Sequence, residues 1–379
     1  MPDGKVVVRI DDKVELEQWS DYTFDSDFLT PADAFSVTFG TAKEWSRISE
    51  AVKPDVPVTV TVDGALQCTG WIDSVRAQTS ASSTMVTITG RDICKPLVDA
   101  NIHPDTPFKD VSLAELVQTV VDQIYWNFDA GGRYTPFRPN VIYDNEANRK
   151  LLSGTAIDGK AKSAGAETKR IEYVRPQANE GAFDFLARNL RRFGLWLWGT
   201  ADGQLVISSP SYSQKPSYLL SRKLGDKIVQ VLDATYSLDR TSVPSHVFVR
   251  GKAGGKEFAT KTVQGTKWDL DWRLYKPLYV VHDNATTAAE ALAFAIQEMS
   301  AKMQSAEVYE CTVLGHTDPV TGSVYAVDTI ATVQDEPLGV FKDMWIAQRT
   351  FRRSSGGQTT TQLRLLPLGA IQFSDVDAP

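Results

Sequence analysis

Between Val58 and Val62 valine and threonine alternate without interruption, Asp63-Gly64 follows, and Thr69-Gly-Trp-Ile-Asp-Ser-Val75 resumes an apolar, β-branched pattern. Alternation of period two sends successive side chains to opposite faces of a pleated strand. Asp-Gly readily takes the left-handed conformations that a two-residue hairpin turn needs. The segment is therefore constrained to an antiparallel hairpin with one buried and one wetter face. Lys5-Val-Val-Val-Arg-Ile10, Phe35-Ser-Val-Thr-Phe39 and Met85-Val-Thr-Ile-Thr89 carry the same texture. Short strands this close together, with no helical period of comparable strength, predict a small antiparallel barrel or sandwich over the first hundred residues.

The order of features recurs near the other end. Thr329-Ile-Ala-Thr-Val333 precedes Asp335, Trp345-Ile-Ala-Gln-Arg-Thr350, a turn at Ser354-Ser-Gly-Gly357 and Thr361-Gln-Leu-Arg-Leu365. In the first copy, Trp71-Ile-Asp-Ser-Val-Arg76 precedes a serine-rich turn at residues 80–83 and Thr84-Met-Val-Thr-Ile88. Two generic hairpins can share such an order by coincidence; a duplicated barrel explains it as well. Three copies of a chain with two such barrels would present six of them in a ring.

Helical signals lie between the β-rich ends. Ser112-Leu-Ala-Glu115 is a capping box, and Leu113, Leu116, Val117, Val120 and Ile124 follow at helical spacing, so residues 112–126 are expected to be helical. Residues 131–169 read as an irregular excursion with a mobile loop near 153–169. Asn179 is a candidate N-cap for a helix ending at Gly194, followed by a hairpin across Asp202-Gly203. A last helix opens at Thr287-Ala-Ala-Glu290, with Leu292, Ile296, Met299 and Met303 on its core face.

Chemistry finds little foothold. Formal net charge is −7, so there is no global positive field for a phosphate backbone, and no run of about 18 apolar residues suggests a membrane span. Neither a signal peptide nor a metal or cofactor motif is evident. Cys68, Cys94 and Cys311 are isolated and read as small apolar residues; His103, His246, His282 and His316 show no ligand spacing. Gly251-Lys-Ala-Gly-Gly-Lys256 lacks P-loop spacing. Glu180 and Asp184 are the carboxylate pair that a cell-wall hydrolase would need, although Asp184 has Arg188 as a helical partner. Trp196, Trp198 and Trp345 are the aromatic candidates for a carbohydrate-binding adhesin. Two basic groups, Arg188 with Arg191 and Arg192, and Arg349 with Arg352 and Arg353, suit a solvated face or contact with a subunit or passing DNA. Arg349, Arg352, Arg353, Ser82 and Ser83 are the candidate subunit or partner contacts.

Gly70-Trp-Ile-Asp-Ser-Val75, Gly90-Arg-Asp92 with Leu97-Val-Asp99, Phe183-Asp-Phe-Leu-Ala-Arg-Asn-Leu-Arg-Arg-Phe-Gly-Leu195 with Asp202-Gly-Gln-Leu-Val-Ile207, and the terminal Gly356-Gly-Gln-Thr-Thr-Thr-Gln-Leu-Arg-Leu-Leu-Pro367 occur in an order that resembles the Mu-like baseplate hub family of contractile phage tails. Type VI secretion spike proteins are relatives through their N-terminal half. The resemblance implies a non-enzymatic homotrimer without cofactors, with two tube-like barrels per chain alternating in a pseudo-sixfold ring. That ring would join tail tube protein to central spike protein, contact other baseplate components, and pass DNA without binding it specifically. It would reside in the virion after assembly in the host cytoplasm. The expected fold is mainly β with α+β inserts: two similar tube-like antiparallel β-barrel domains at 1–98 and 231–379, the latter with a helix at 287–304, plus smaller α/β domains at 99–175 and 176–230.

Overall fold

The computed structural model describes residues 5–40, 42–80, 83–128, 134–136, 139–143, 171–191, 195–210, 212–225, 230–253, 256–257, 261–264, 274–282, 288–354 and 356–370. The expected loop at 153–169, the C-cap at Gly194, the capping Thr287, Arg192 and Ser82 lie outside them. The chain is mainly β and divides into two compact units: Met1–Leu190 with Trp196–Ser209 and Phe351–Thr359, and Arg191–Leu195 with Pro210–Thr350 and Thr360–Pro379.

In the first unit, β1 (Val6–Ile10), β2 (Val14–Leu16), β3 (Asp21–Asp27) and β4 (Ala34–Phe39) precede helix α1 (Ala42–Ile48). Then come β5 (Pro57–Val62), β6 (Ala65–Thr79) and β7 (Thr84–Asp92). They form a sheet in the order β3-β4-β7-β6-β5-β1-β2, antiparallel throughout. The alternation read in the sequence becomes an alternation of burial: Val58, Val60 and Val62 face the core beside Val8, Val37 and Ile88, while the threonines face outward. Asp63 and Gly64 turn with φ of 49° and 82°, closed by the pair Val62 and Ala65. Both angles are left-handed, as a two-residue hairpin demands. The sheet curls into a half-barrel because its end strands, β2 and β3, are consecutive in the chain. Residues between them tie the sheet together: Trp19 Nε1 donates to Val6 O at 3.0 Å, and Ser20 N donates to Thr38 O at 2.9 Å.

Smaller elements complete this unit: α2 (Lys95–Asp99), β8 (Phe108–Val111), α3 (Leu113–Ile124), β9 (Trp126–Phe128), β10 (Tyr134–Pro136), β11 (Val141–Tyr143), β12 (Ile171–Val174), α4 (Ala182–Arg191), β13 (Trp196–Gly199) and β14 (Leu205–Ser208). The capping box forms at α3, where Ser112 Oγ accepts from Glu115 N and Glu115 Oε2 accepts from Ser112 N. Asn179, expected as an N-cap, is not one. It sits in a left-handed turn at φ 61°, and the helix begins beyond it, with Phe185 N donating to Gly181 O.

In the second unit, β15 (Tyr218–Arg222) and β16 (Val231–Leu238) lead into β17 (His246–Ala253), β18 (Lys256–Glu257), β19 (Lys261–Gln264), β20 (Pro277–His282) and α5 (Ala288–Met303). The closing strands are β21 (Glu307–Leu314), β22 (Thr329–Asp335), β23 (Val340–Arg353) and β24 (Thr360–Pro367). The main sheet runs β16-β21-β24-β23-β22-β15. Strands β17 to β20 form a separate small sheet whose Val247 and Val249 pack on Ala295, Met299 and Met303 of α5.

The two main sheets share an order. Strands β3 to β7, taken in chain order, lie as first, second, fifth, fourth, third, and so do β16 and β21 to β24. The Trp-Ile pairs at 71–72 and 345–346 fall on the equivalent strands β6 and β23.

Candidate interaction surfaces

The Gly-Trp-Ile-Asp and Gly-Arg-Asp segments face each other across β6 and β7, where Trp71 pairs with Arg91 and Ile72 with Gly90. The register then slips between Ile72 and Ser74, leaving Asp73 as the extra residue of a β-bulge. Asp73 is thereby aimed at Arg91, which donates from Nε and one Nη at 2.8 and 2.9 Å and reaches Asp99 at 2.8 Å. Lys95 Nζ adds contacts to Asp55 at 2.6 Å, Asp73 at 3.3 Å and Ile72 O at 3.2 Å. Burial works against the Asp73 carboxylate, but Arg91 and Lys95 hold its pKa below the ordinary value.

Asp73→Asn is expected to cost about 1–3 kcal/mol in urea denaturation, since a half-buried guanidinium loses its bidentate partner. The native contribution is present above the unfolded carboxylate pKa and is lost as pH falls through the depressed folded value. An unchanged midpoint would show that the network is decorative.

The serine and arginine candidates divide. Ser83, Arg352 and Arg353 are exposed at the far ends of the β6–β7 and β23–β24 hairpins. Arg349, expected at a surface, is instead interior at 4% exposure, with one Nη donating to Tyr325 O at 3.0 Å. Around it is a polar core: His316 Nδ1 lies 3.0 Å from Thr361 Oγ1, and Gln230 Nε2 donates to Asp318 Oδ1 at 3.1 Å and Tyr325 Oη at 3.2 Å. The main-chain oxygen of Tyr325 thus holds one Nη of this buried cation inside the unit.

Residues 5–92, which hold β1 to β7 and both glycine motifs, match the family model for the N-terminal domain of GpP-like Mu phage baseplate assembly proteins. Over 273 residues, 70% of this chain, the sequence is 23% identical to the baseplate hub protein gp44 of Escherichia phage Mu. The chain is a homologue of the Mu hub protein. The match spans 62% of that relative's length. Two solved structures share the fold nearly end to end. A tail protein from Neisseria meningitidis gives a TM-score of 0.75 at 21% identity, covering 99% of this chain and 98% of its own. The 43 kDa tail protein of prophage MuSo2 from Shewanella oneidensis gives 0.71 at 20% identity, covering 97% and 99%.

In this hub homologue the residues raised for other chemistry are tied down. Glu180, not Asp184, partners Arg188: Nε and Nη2 donate to its two oxygens at 2.7 and 2.8 Å. Burial opposes the Glu180 carboxylate, yet Arg188 and Gln177 N hold its pKa low, opposite to a proton donor's need. Asp184 is exposed. Trp345 has no exposed surface and donates from Nε1 to Asp328 at 2.9 Å; Trp196 and Trp198 pack on Phe28 at 5.6 and 4.9 Å. The three cysteines are buried. Among the described residues no cluster of His, Cys, Asp and Glu could hold a metal, and no helix is long and apolar enough to cross a membrane.

Proposed function

We propose that the chain is the central hub of a contractile-tail baseplate. It is a non-enzymatic structural component of the virion, assembled in the host cytoplasm. Three copies form a ring that joins the tail tube protein on one side to the central spike protein on the other. Other baseplate components contact its periphery, and DNA passes through its channel. The observation that carries this reading is the strand order repeated in the two units of a homologue of a hub protein. Two similar barrels per chain let a trimer present sixfold-like symmetry to the tube while keeping threefold symmetry for the spike. A net charge of −7 suits a conduit, because a wall without a positive field does not retain a polyanion.

The test is a bridging complex: this protein, mixed with purified tube and spike proteins of its own tail, should co-sediment with both at once. Binding to neither would overturn the reading.

A further inference from the structure

We infer that the outward face of the small sheet in the second unit binds single-stranded nucleic acid, with bases stacking on Tyr279 and phosphates meeting the basic strands around it. This activity is independent of the hub role. Strand β17 is central in that sheet, with antiparallel β19 on one side and parallel β20 on the other. Val247, Val249, Leu278 and Val280 pack towards α5. Alternation therefore sends His246, Phe248 and Arg250 of β17, and Tyr279 and Val281 of β20, to the opposite face. Tyr279 and Val281 are 70% and 64% exposed there, and Tyr275, two residues before β20, is 66% exposed. An open face that gathers this much apolar surface marks an interaction site.

The rings on it form a column. His246 and Phe248 are nearly parallel, at 19° and 6.2 Å, and the cross-strand pair Phe248 and Tyr279 is stacked at 15° and 4.9 Å. Tyr279 is the outer end. Its hydroxyl hydrogen-bonds that of Tyr275, whose ring packs in turn on His246 at 5.3 Å. The Tyr279 plane is thus held in orientation while most of it stays open, and among the described residues Phe248 is the one ring stacked on it. A fixed, exposed aromatic plane is extended by another planar π-system, and a nucleobase supplies one without regard to sequence.

A sugar ring also stacks on tyrosine, and charge decides between the two. Strands β17 to β20 carry Arg250, Lys252, Lys256 and Lys261 against Glu257 alone, within a chain whose net charge is −7. Arg250 is exposed and stands in register with Val281, one outward pair beyond Phe248 and Tyr279. A stacking plane beside local positive charge fits a polyanion with unpaired bases. Duplex DNA keeps its bases in its own stack, so a duplex crossing a channel offers Tyr279 nothing.

The test is fluorescence polarisation of fluorescein-labelled decathymidine titrated with the full chain. Polarisation should rise to saturation at low salt, fall as salt is added, and favour the single strand over the same oligonucleotide in a duplex by at least about tenfold. Tyr279→Ala should weaken binding about 5- to 150-fold, the loss of one stacked base, and Tyr279→Phe, which keeps the plane, should stay within about twofold of the native chain. Tyr279 lies outside the core, so both variants should keep the native circular dichroism. No binding, or binding indifferent to salt, would overturn the assignment, as would equal affinities of the native and Tyr279→Ala chains. Displacement by inorganic polyphosphate as readily as by unlabelled decathymidine would show attraction without stacking and overturn it. Displacement by a neutral chitin oligosaccharide would give the face to glycans instead.

Discussion

Replacing Gly70 by alanine is expected to unfold the first unit at denaturant concentrations where the native chain is fully folded. A methyl group on that α-carbon would lie 1.9 Å from Arg91 O and 2.7 Å from the Asp92 α-carbon. Both are backbone atoms of the paired strand, so no rotamer change relieves the clash. Gly90, on the opposite strand, is enclosed likewise: its added carbon would lie 2.4 Å from the Phe35 ring and 2.5 Å from Trp71 O. The two strands approach this closely because the bulge at Asp73 deepens the local twist, and glycine alone tolerates the approach. Relief requires moving β7, which separates Arg91 from Asp73. The expected loss is more than about 4 kcal/mol, in the range reserved for substitutions that break a named structural feature. Gly64→Ala is the control: nothing lies within 4 Å, and only its φ of +82° is strained, so about 1–2 kcal/mol should be lost. Urea denaturation followed by tryptophan fluorescence separates the cases. Equal, small losses at both positions would refute the close-approach account.

The two hairpins that share β6 show what a sequence can and cannot disclose. The β5–β6 turn is legible because Asp63-Gly64 encodes a backbone conformation directly, and the Ser112 cap is legible because both partners lie within one helical turn. Asp73 and Arg91 are 18 positions apart and meet only through the bulged register, which no local pattern specifies. Strand β3 escaped notice because Asp21, Asp25 and Asp27 weaken its β propensity, although Tyr22 and Phe24 supply the buried alternation. Arg349 misled for the opposite reason. The run Met344 to Ala347, and Thr350 with Phe351, are buried on both faces of β23, so a charged residue there signals an internal network, not a wet face. Arg188 was matched to the carboxylate one turn away, whereas the partner is Glu180, brought close by the turn that begins α4. Chemistry that depends on spacing along one element is readable; chemistry that depends on where two elements meet is not.

Acid should therefore attack the second unit through a residue whose role only its surroundings reveal. His316 is 1% exposed, and its pKa falls from 6.5 to about 3, first because burial penalises the imidazolium and second because Arg349 stands nearby. Thr361 Oγ1 spends its single proton on Gly315 O at 2.5 Å, so His316 Nδ1 is the donor in the 3.0 Å contact with that hydroxyl. The ring is neutral in the folded chain. Below pH 6.5 the unfolded chain takes up a proton that the folded chain refuses, so stability drops by roughly 1.4 kcal/mol per pH unit, reaching about 3–5 kcal/mol near pH 3. Asp92 in the first unit has the opposite sign. Burial and the neighbouring Asp33 raise its pKa well above the ordinary value, so its contribution is largest in acid and declines as pH rises through the folded pKa. A pH series on the native chain mixes the two, and the variant His316→Asn separates them. Asparagine keeps a side-chain N–H for Thr361 and cannot be protonated in this range. The difference in stability between native and variant chains should shrink steadily from pH 7 to pH 3 and favour the variant at the acid end. A difference independent of pH would mean that His316 titrates normally and that the polar core around Arg349 admits its charge.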